Sequence, residues 1–147
     1  MLPKSSAQVS EVIKLANSIA REYELEYVGT EHMLLAVLEQ GSGTGALVLI
    51  ERGITPSGLR IEVEKLIKKS MEETWVFGRL PGTPHFKNVM ATAIRECQHL
   101  KAKEVDTEHI LLALLKEKGC IAYQALKGLG VNYEDVRASI LKNPDSQ

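Results

Sequence analysis

Two stretches of the chain, Val28 to Leu38 (VGTEHMLLAVL) and Val105 to Leu115 (VDTEHILLALL), are nearly the same sequence at an offset of 77 residues. The offset persists far outside them. Upstream, Val9, Val12, Ile13, Ala16, Ala20 and Tyr23 correspond to Phe86, Val89, Met90, Ala93, Cys97 and Leu100. Both sets recur at the spacing of one face of an amphipathic helix. Downstream, Leu49, Gly53, Ile54, Leu59 and Arg60 correspond to Leu126, Gly130, Val131, Val136 and Arg137. A match of this length marks a duplicated fold unit, not a short motif copied for its chemistry.

Each unit reads as four helices. The first starts after Ser6 or Thr83, both good caps, and runs to about Glu24 or Lys101. Pro84 suits a first helical position. The second starts at Thr30 or Thr107 and carries the leucines. The third covers roughly Gly45 to Arg52 and Ile121 to Leu129 and ends at Gly53 or Gly130. The fourth starts at Thr55-Pro56 or Asn132. The Gly- and Pro-punctuated segment TWVFGRLPGTP reads as a linker, packed down by Trp75, Val76 and Phe77. No alternating strand pattern of useful length occurs. One unit of about 70 residues has a thin core. The expectation is therefore one all-α domain over residues 1–147. Repeat one covers about 5–70, the linker about 71–82 and repeat two about 83–142. The repeats should be related by a pseudo-twofold axis, with Leu34, Leu35, Leu38, Leu111, Leu112 and Leu115 in the core.

Composition narrows the function. With 18 basic and 19 acidic residues the net charge is −1, which lacks the basic excess of a nucleic-acid binder. Lys65, Lys68 and Lys69 read as the solvated face of a helix. Two cysteines without CxxC spacing form no disulfide framework, and Cys97 falls on an apolar helix face as a buried thiol. No apolar run reaches membrane-span length and MLPKSSAQVS has no signal-peptide core, so a reducing, cytoplasmic setting without membrane attachment is expected. Metal ligands at HxxxH or HExxH spacing, a GxSxG nucleophile and a GxxxxGK[ST] phosphate loop are all missing from the sequence. A binding module without catalytic residues, metal or cofactor is expected, and no heptad seam argues for more than a monomer.

Thr-Glu-His has a structural reading. Thr30 and Thr107 cap helices, Glu31 and Glu108 favour the positive helix end, and His32 and His109 pack in the first turn. A second reading starts from spacing. Ser6 precedes Glu31 by 25 residues, as Thr83 precedes Glu108. If the two helix starts of a repeat meet, each pair offers a hydroxyl, free backbone N–H groups and a carboxylate. The N–H groups suit an anion and the carboxylate suits a guanidinium, so a ligand carrying both charges gains from both. On this pairing the Ser6–Glu31 pocket outperforms the Thr83–Glu108 pocket, because Asp106 adds negative charge where the first repeat has Gly29.

The doubled TEH-LL, the glycine-rich stretch after its first copy and the LGV-type ending together resemble the Clp N-domain, the double Clp repeat that heads ClpA-, ClpB- and ClpC-type unfoldases. The resemblance covers about residues 5–142 and looks most like ClpC. It implies an eight-helix module, mobile on an AAA+ ATPase ring, that receives adaptors and protein substrates for unfolding and delivery to the ClpP peptidase. It also implies phosphoarginine recognition on marked proteins at positions that match Ser6, Glu31, Thr83 and Glu108. Gln8 and His85 stand where the family often has Arg. A free-standing Clp-repeat protein acting as adaptor or regulator is the alternative reading.

Overall fold

The computed structural model describes residues 3–23, 28–77 and 83–142, with side chains described except at 68–77 and 83–84. The elements are β1 (Lys4–Ser5), α1 (Ala7–Glu22), α2 (Thr30–Gln40), α3 (Thr44–Glu51), α4 (Pro56–Phe77), α5 (Thr83–His99), β2 (Glu104–Val105), α6 (Thr107–Leu114), α7 (Ile121–Gly128) and α8 (Tyr133–Leu141). This is the expected all-α architecture of two four-helix repeats. Its local signals are the expected ones too. Ser6 caps α1 by accepting the Val9 amide at 3.1 Å, and Asn132 caps α8 through the Asp135 amide at 2.9 Å. Gly53 and Gly130, both at φ 80°, follow the ends of α3 and α7.

The contacts between elements come in symmetric pairs. α3 packs on α6 as α7 packs on α2, α3 meets α8 as α7 meets α4, and α1 touches α6 as α5 touches α2. The helices α2 and α6 meet each other at the centre. Every residue from Thr30 to Leu38 and from Thr107 to Leu115 is buried. These two helices are therefore covered on all sides, not on one stripe, as a helix at the centre of a core must be. The six expected leucines are among them, joined by Met33, Ala36, Val37, Ile110, Ala113 and Leu114. From α1 and α5, Val9, Val12, Ala16, Ala20, Val89, Ala93 and Cys97 are buried, while Ile13, Tyr23, Phe86, Met90 and Leu100 pack at the margin.

Three features differ from the sequence expectation. First, α4 continues to Phe77, into the segment read as a linker. No helix breaker occurs between Lys65 and Phe77; the glycines and prolines begin only at Gly78. The packing expected of Trp75, Val76 and Phe77 lies outside the described residues. Second, β1 and β2 pair in parallel, Lys4 with Glu104 and Ser5 with Val105. Two residues are too few to show alternation in a sequence.

Third, Thr30 and Thr107 are not the caps of their own helices. They are the first helical residues, with Gly29 and Asp106 at the cap positions. Their hydroxyls cross to the other repeat. Thr107 Oγ1 accepts the Gly45 amide at 3.0 Å, and Thr30 Oγ1 accepts the Ala122 amide at 3.4 Å. Gly45 and Ala122 occupy the same place in the first turns of α3 and α7. Each threonine thus satisfies an otherwise orphaned donor at the start of a helix in the opposite repeat.

Two stability measurements check this account. Leu112→Ala should lower the unfolding free energy in urea by about 2–5 kcal/mol, as a fully buried large-to-small change. Thr107→Val keeps the shape but strands the Gly45 amide, and should cost about 1–3 kcal/mol. A valine variant as stable as the parent would show that the cross-repeat bond contributes nothing.

Candidate functional site

The start of α1 is built into the second repeat. The Ser6 amide donates to the Val105 carbonyl at 2.8 Å, next to the β1–β2 pair. The Ser6 hydroxyl donates to Asp106 Oδ1 at 2.9 Å while it accepts the Val9 amide. The same Asp106 oxygen accepts the Thr107 amide at 2.8 Å, so Asp106 caps α6 and anchors Ser6 together. With its amide nitrogen turned inward, Gln8 donates to both Asp106 oxygens, at 3.0 and 3.2 Å. Ser6 is buried under this cluster.

This geometry corrects the pairing expected from the 25-residue spacing. Helices α1 and α2 form an antiparallel hairpin. Gln40, at the end of α2, bonds Glu11 near the start of α1 at 3.1 Å; Tyr23, at the end of α1, lies 6.0 Å from the His32 ring near the start of α2. Ser6 and Glu31 therefore lie at opposite ends of the hairpin, about 24 Å apart at ~1.5 Å of rise per helical residue. Ser6 instead meets the start of α6, the helix that carries Glu108. By the repeat symmetry the start of α5, at Thr83, lies toward the start of α2 and Glu31, and α5 does contact α2. The Thr83 side chain is outside the described residues. Helix starts meet across repeats: Ser6 meets the start of α6, the helix that carries Glu108. Asp106 consequently burdens the Ser6 end, not the Thr83 end.

The two glutamates are not at the surface, as the spacing argument assumed. Glu31 and Glu108 are both 0% exposed, and none of their four carboxylate oxygens has a hydrogen-bond partner among the described residues. Burial pushes both carboxyl groups up to about 7. Amides at the helix start pull the other way, more weakly, and the Asp106 charge raises Glu108 further. Their seats differ. A side chain at Gly29 would collide with the Glu31 carboxylate, which folds back against the bare backbone there. Asp106 fills the equivalent space, so Glu108 cannot take that path.

His32 and His109 fit the structural reading. His32 Nδ1 accepts the Gly29 amide and His109 Nδ1 accepts the Asp106 amide, each at 2.9 Å. An acceptor at Nδ1 requires the neutral ring. Burial lowers His32 to about 4 and lowers His109 as well. The sequence did not reveal a further buried carboxylate, Glu96. It accepts the Tyr133 hydroxyl at 2.6 Å and pairs with Lys116 at 3.1 Å, which ties α5 to α8. Glu96 stands where the first repeat has Ile19, so duplication gave no hint of it. Among the described residues no group of three or more His, Cys, Asp or Glu side chains is placed to hold a metal ion. Both cysteines are buried free thiols. No single helix among the described residues is long and apolar enough to cross a membrane.

Comparison with known proteins agrees with the fold. The family described as "Clp repeat (R) N-terminal domain" matches residues 4–129 and 82–147. The "ATP-dependent Clp protease ATP-binding subunit ClpA homolog" of Cyanidium caldarium is 37% identical over 142 residues, 97% of this chain and 16% of that protein. The chloroplastic "Chaperone protein ClpC1" of Oryza sativa subsp. japonica is 32% identical over 142 residues, 97% of this chain and 15% of its own. The chain thus spans about a sixth of the length of these curated relatives. Among solved structures, the N-terminal domain of the chaperone ClpD from Arabidopsis thaliana superposes with a TM-score of 0.69 at 18% identity, covering 95% of this chain and 96% of that one. At that identity the likeness speaks for the fold.

The buried Glu-His pairs generate a pH prediction. Glu31 and Glu108, at about 7 when folded against an ordinary 4.5, hold a proton the unfolded chain has released. Their contribution is complete below about pH 4.5 and is lost as pH rises toward 7. His32, at about 4 against 6.5, and His109, lowered likewise by burial, act oppositely, so their contributions are lost as pH falls below 6.5. Between these limits the slopes, each up to about 1.4 kcal/mol per pH unit, oppose one another. Parent stability in urea should therefore change little from pH 4.5 to 6.5. Glu31→Gln should become more stable as pH rises through that range, and His32→Gln less stable. The same slope in all three proteins would mean that these groups titrate alike folded and unfolded.

Proposed function

Because the chain belongs to the Clp repeat N-terminal domain family, we propose that it is the docking module of a ClpC-type unfoldase. It receives client proteins and their adaptors for an AAA+ ring that feeds the ClpP peptidase. The relatives are named as ATP-binding subunits and chaperones, some chloroplastic, and their remaining length leaves room for the ATPase. The chain itself acts by binding rather than catalysis, as a monomer when isolated, in a reducing compartment that keeps Cys97 and Cys120 as thiols.

One observation supports the ligand class: at both equivalent helix starts the buried carboxylates have no hydrogen-bond partner among the described residues. A buried carboxylate without partners is destabilising, and a core position with no other duty would be better filled by an apolar side chain. A guanidinium supplies the missing donors in a bidentate pair once the side chain turns toward the ligand. The neighbouring helix start supplies backbone N–H groups for an anion. A phosphorylated guanidinium joins the two charges at short range, and so phosphoarginine on marked client proteins is the ligand that fits. Ser6, Glu31, Thr83 and Glu108 mark the two equivalent places that such a ligand would reach, in the cross-repeat pairs, with Asp106 standing at the Ser6 one.

Phosphoarginine titrated into the 15N-labelled domain should shift amides at the starts of α2 and α5. Glu31→Gln should weaken that response by about tenfold, the loss of one charge-assisted pair. Free arginine should bind far more weakly than phosphoarginine. Equal responses from parent and variant would remove the glutamates from the site and leave client docking by other surfaces.

A further inference from the structure

The two helix starts that the duplication makes equivalent are chemically unlike, and the difference lies in one residue. At the start of α1, Asp106 sits where an incoming anion would sit. Its carboxylate takes the Ser6 hydroxyl at 2.9 Å, the Thr107 amide at 2.8 Å and the Gln8 amide nitrogen at 3.0 and 3.2 Å. The Asp106 charge lies close to Glu108, whose buried carboxylate oxygens have no hydrogen-bond partner among the described residues. A negative group engaged with three donors satisfies them and repels a second anion. At the corresponding place before α2, Gly29 has no side chain, and the space beside its Cα is taken by Glu31 itself.

We propose that Asp106 is a built-in anion that closes the Ser6 end to phosphoryl groups, so that the domain offers one working phosphoryl site, at the start of α2 beside Glu31. Asp106 is then a specificity-determining residue that converts a symmetric two-site fold into a one-site receptor. This rests on the phosphorylated-guanidinium reading for the identity of the ligand, but the closure itself concerns any phosphoryl group. The ligand class excluded at the Ser6 end is a phosphate dianion. A neutral or cationic side chain meets no such repulsion there.

Replacement by glycine is compatible with the fold, since the first repeat caps its own equivalent helix with Gly29. Inorganic phosphate and, separately, phosphoarginine are titrated into the parent, Asp106→Gly and the double variant Asp106→Gly with Ser6→Ala, and the amides of Ala7, Gln8 and Val9 are followed by NMR. In the parent these amides should not respond. In Asp106→Gly they should respond saturably to phosphate, with apparent affinity raised at least about tenfold, and the Ser6→Ala change should reverse the gain. A response already present in the parent, or none in Asp106→Gly, overturns the closure. A dispersed spectrum serves as the folding check, and Asp106→Ala, which also removes the carboxylate, replaces the glycine variant if that check fails. Phosphate binding in Asp106→Gly without any preference for phosphoarginine would strike the ligand reading and leave the role of Asp106 standing. Calorimetry with phosphoarginine adds a count: one site in the parent and two in Asp106→Gly support the proposal, and two equal sites in the parent sink it.

Discussion

Two threonine hydroxyls, exchanged between the repeats, hold the molecule's geometry. Thr107 completes the first turn of α3 and Thr30 completes the first turn of α7. Each repeat therefore contains a helix whose first turn is finished only by the other. The exchange places α2 and α6 side by side at the centre, where their apolar residues are covered from every direction. A lone repeat would expose one side of that central helix and strand a donor, which is a physical reason for the unit to occur as a pair.

At the same helix starts the fold carries an internal tension. Directly after each threonine stands a buried glutamate whose carboxylate has no hydrogen-bond partner among the described residues, and after that a histidine held neutral by a backbone amide. Apolar side chains in those glutamate positions would pack at lower free energy. Local conflict of this kind, repeated at both symmetric places, is what the proposed ligand would relieve. The glutamates are close enough to the cross-repeat contacts that engaging them also touches the seam between the halves.

Much of this was legible in the sequence. The offset from Thr30 to Thr107 carried the fold class, the helix count and the core leucines, because an amphipathic period and helix-stop glycines are local signals. The destination of the threonine hydroxyls was not legible. Both fit a cap of their own helix by residue type, and only the packing of α6 against α3 decides otherwise. The site pairing failed for a similar reason. A constant spacing of 25 residues reports that Ser6 and Glu31 are duplicated together, not that they are neighbours. In an antiparallel hairpin, residues at the starts of consecutive helices are as far apart as the helix is long. The depth of Glu31 and Glu108 was hidden too, since a helix buried on all sides has no polar face for a charged residue to mark.

The short parallel pairing of Lys4–Ser5 with Glu104–Val105 bears on how the chain is made. Ser6 and Asp106 are 100 positions apart, yet their bond secures the beginning of the first helix. On the ribosome the amino-terminal repeat emerges whole long before Asp106 does. Until then α1 has its own serine cap but no anchor, and Thr30 waits for an amide in α7. The last steps of assembly are therefore reserved for the arrival of the second repeat, and the nascent first half, with its central helix uncovered, is the stage of this protein's life most exposed to misassociation.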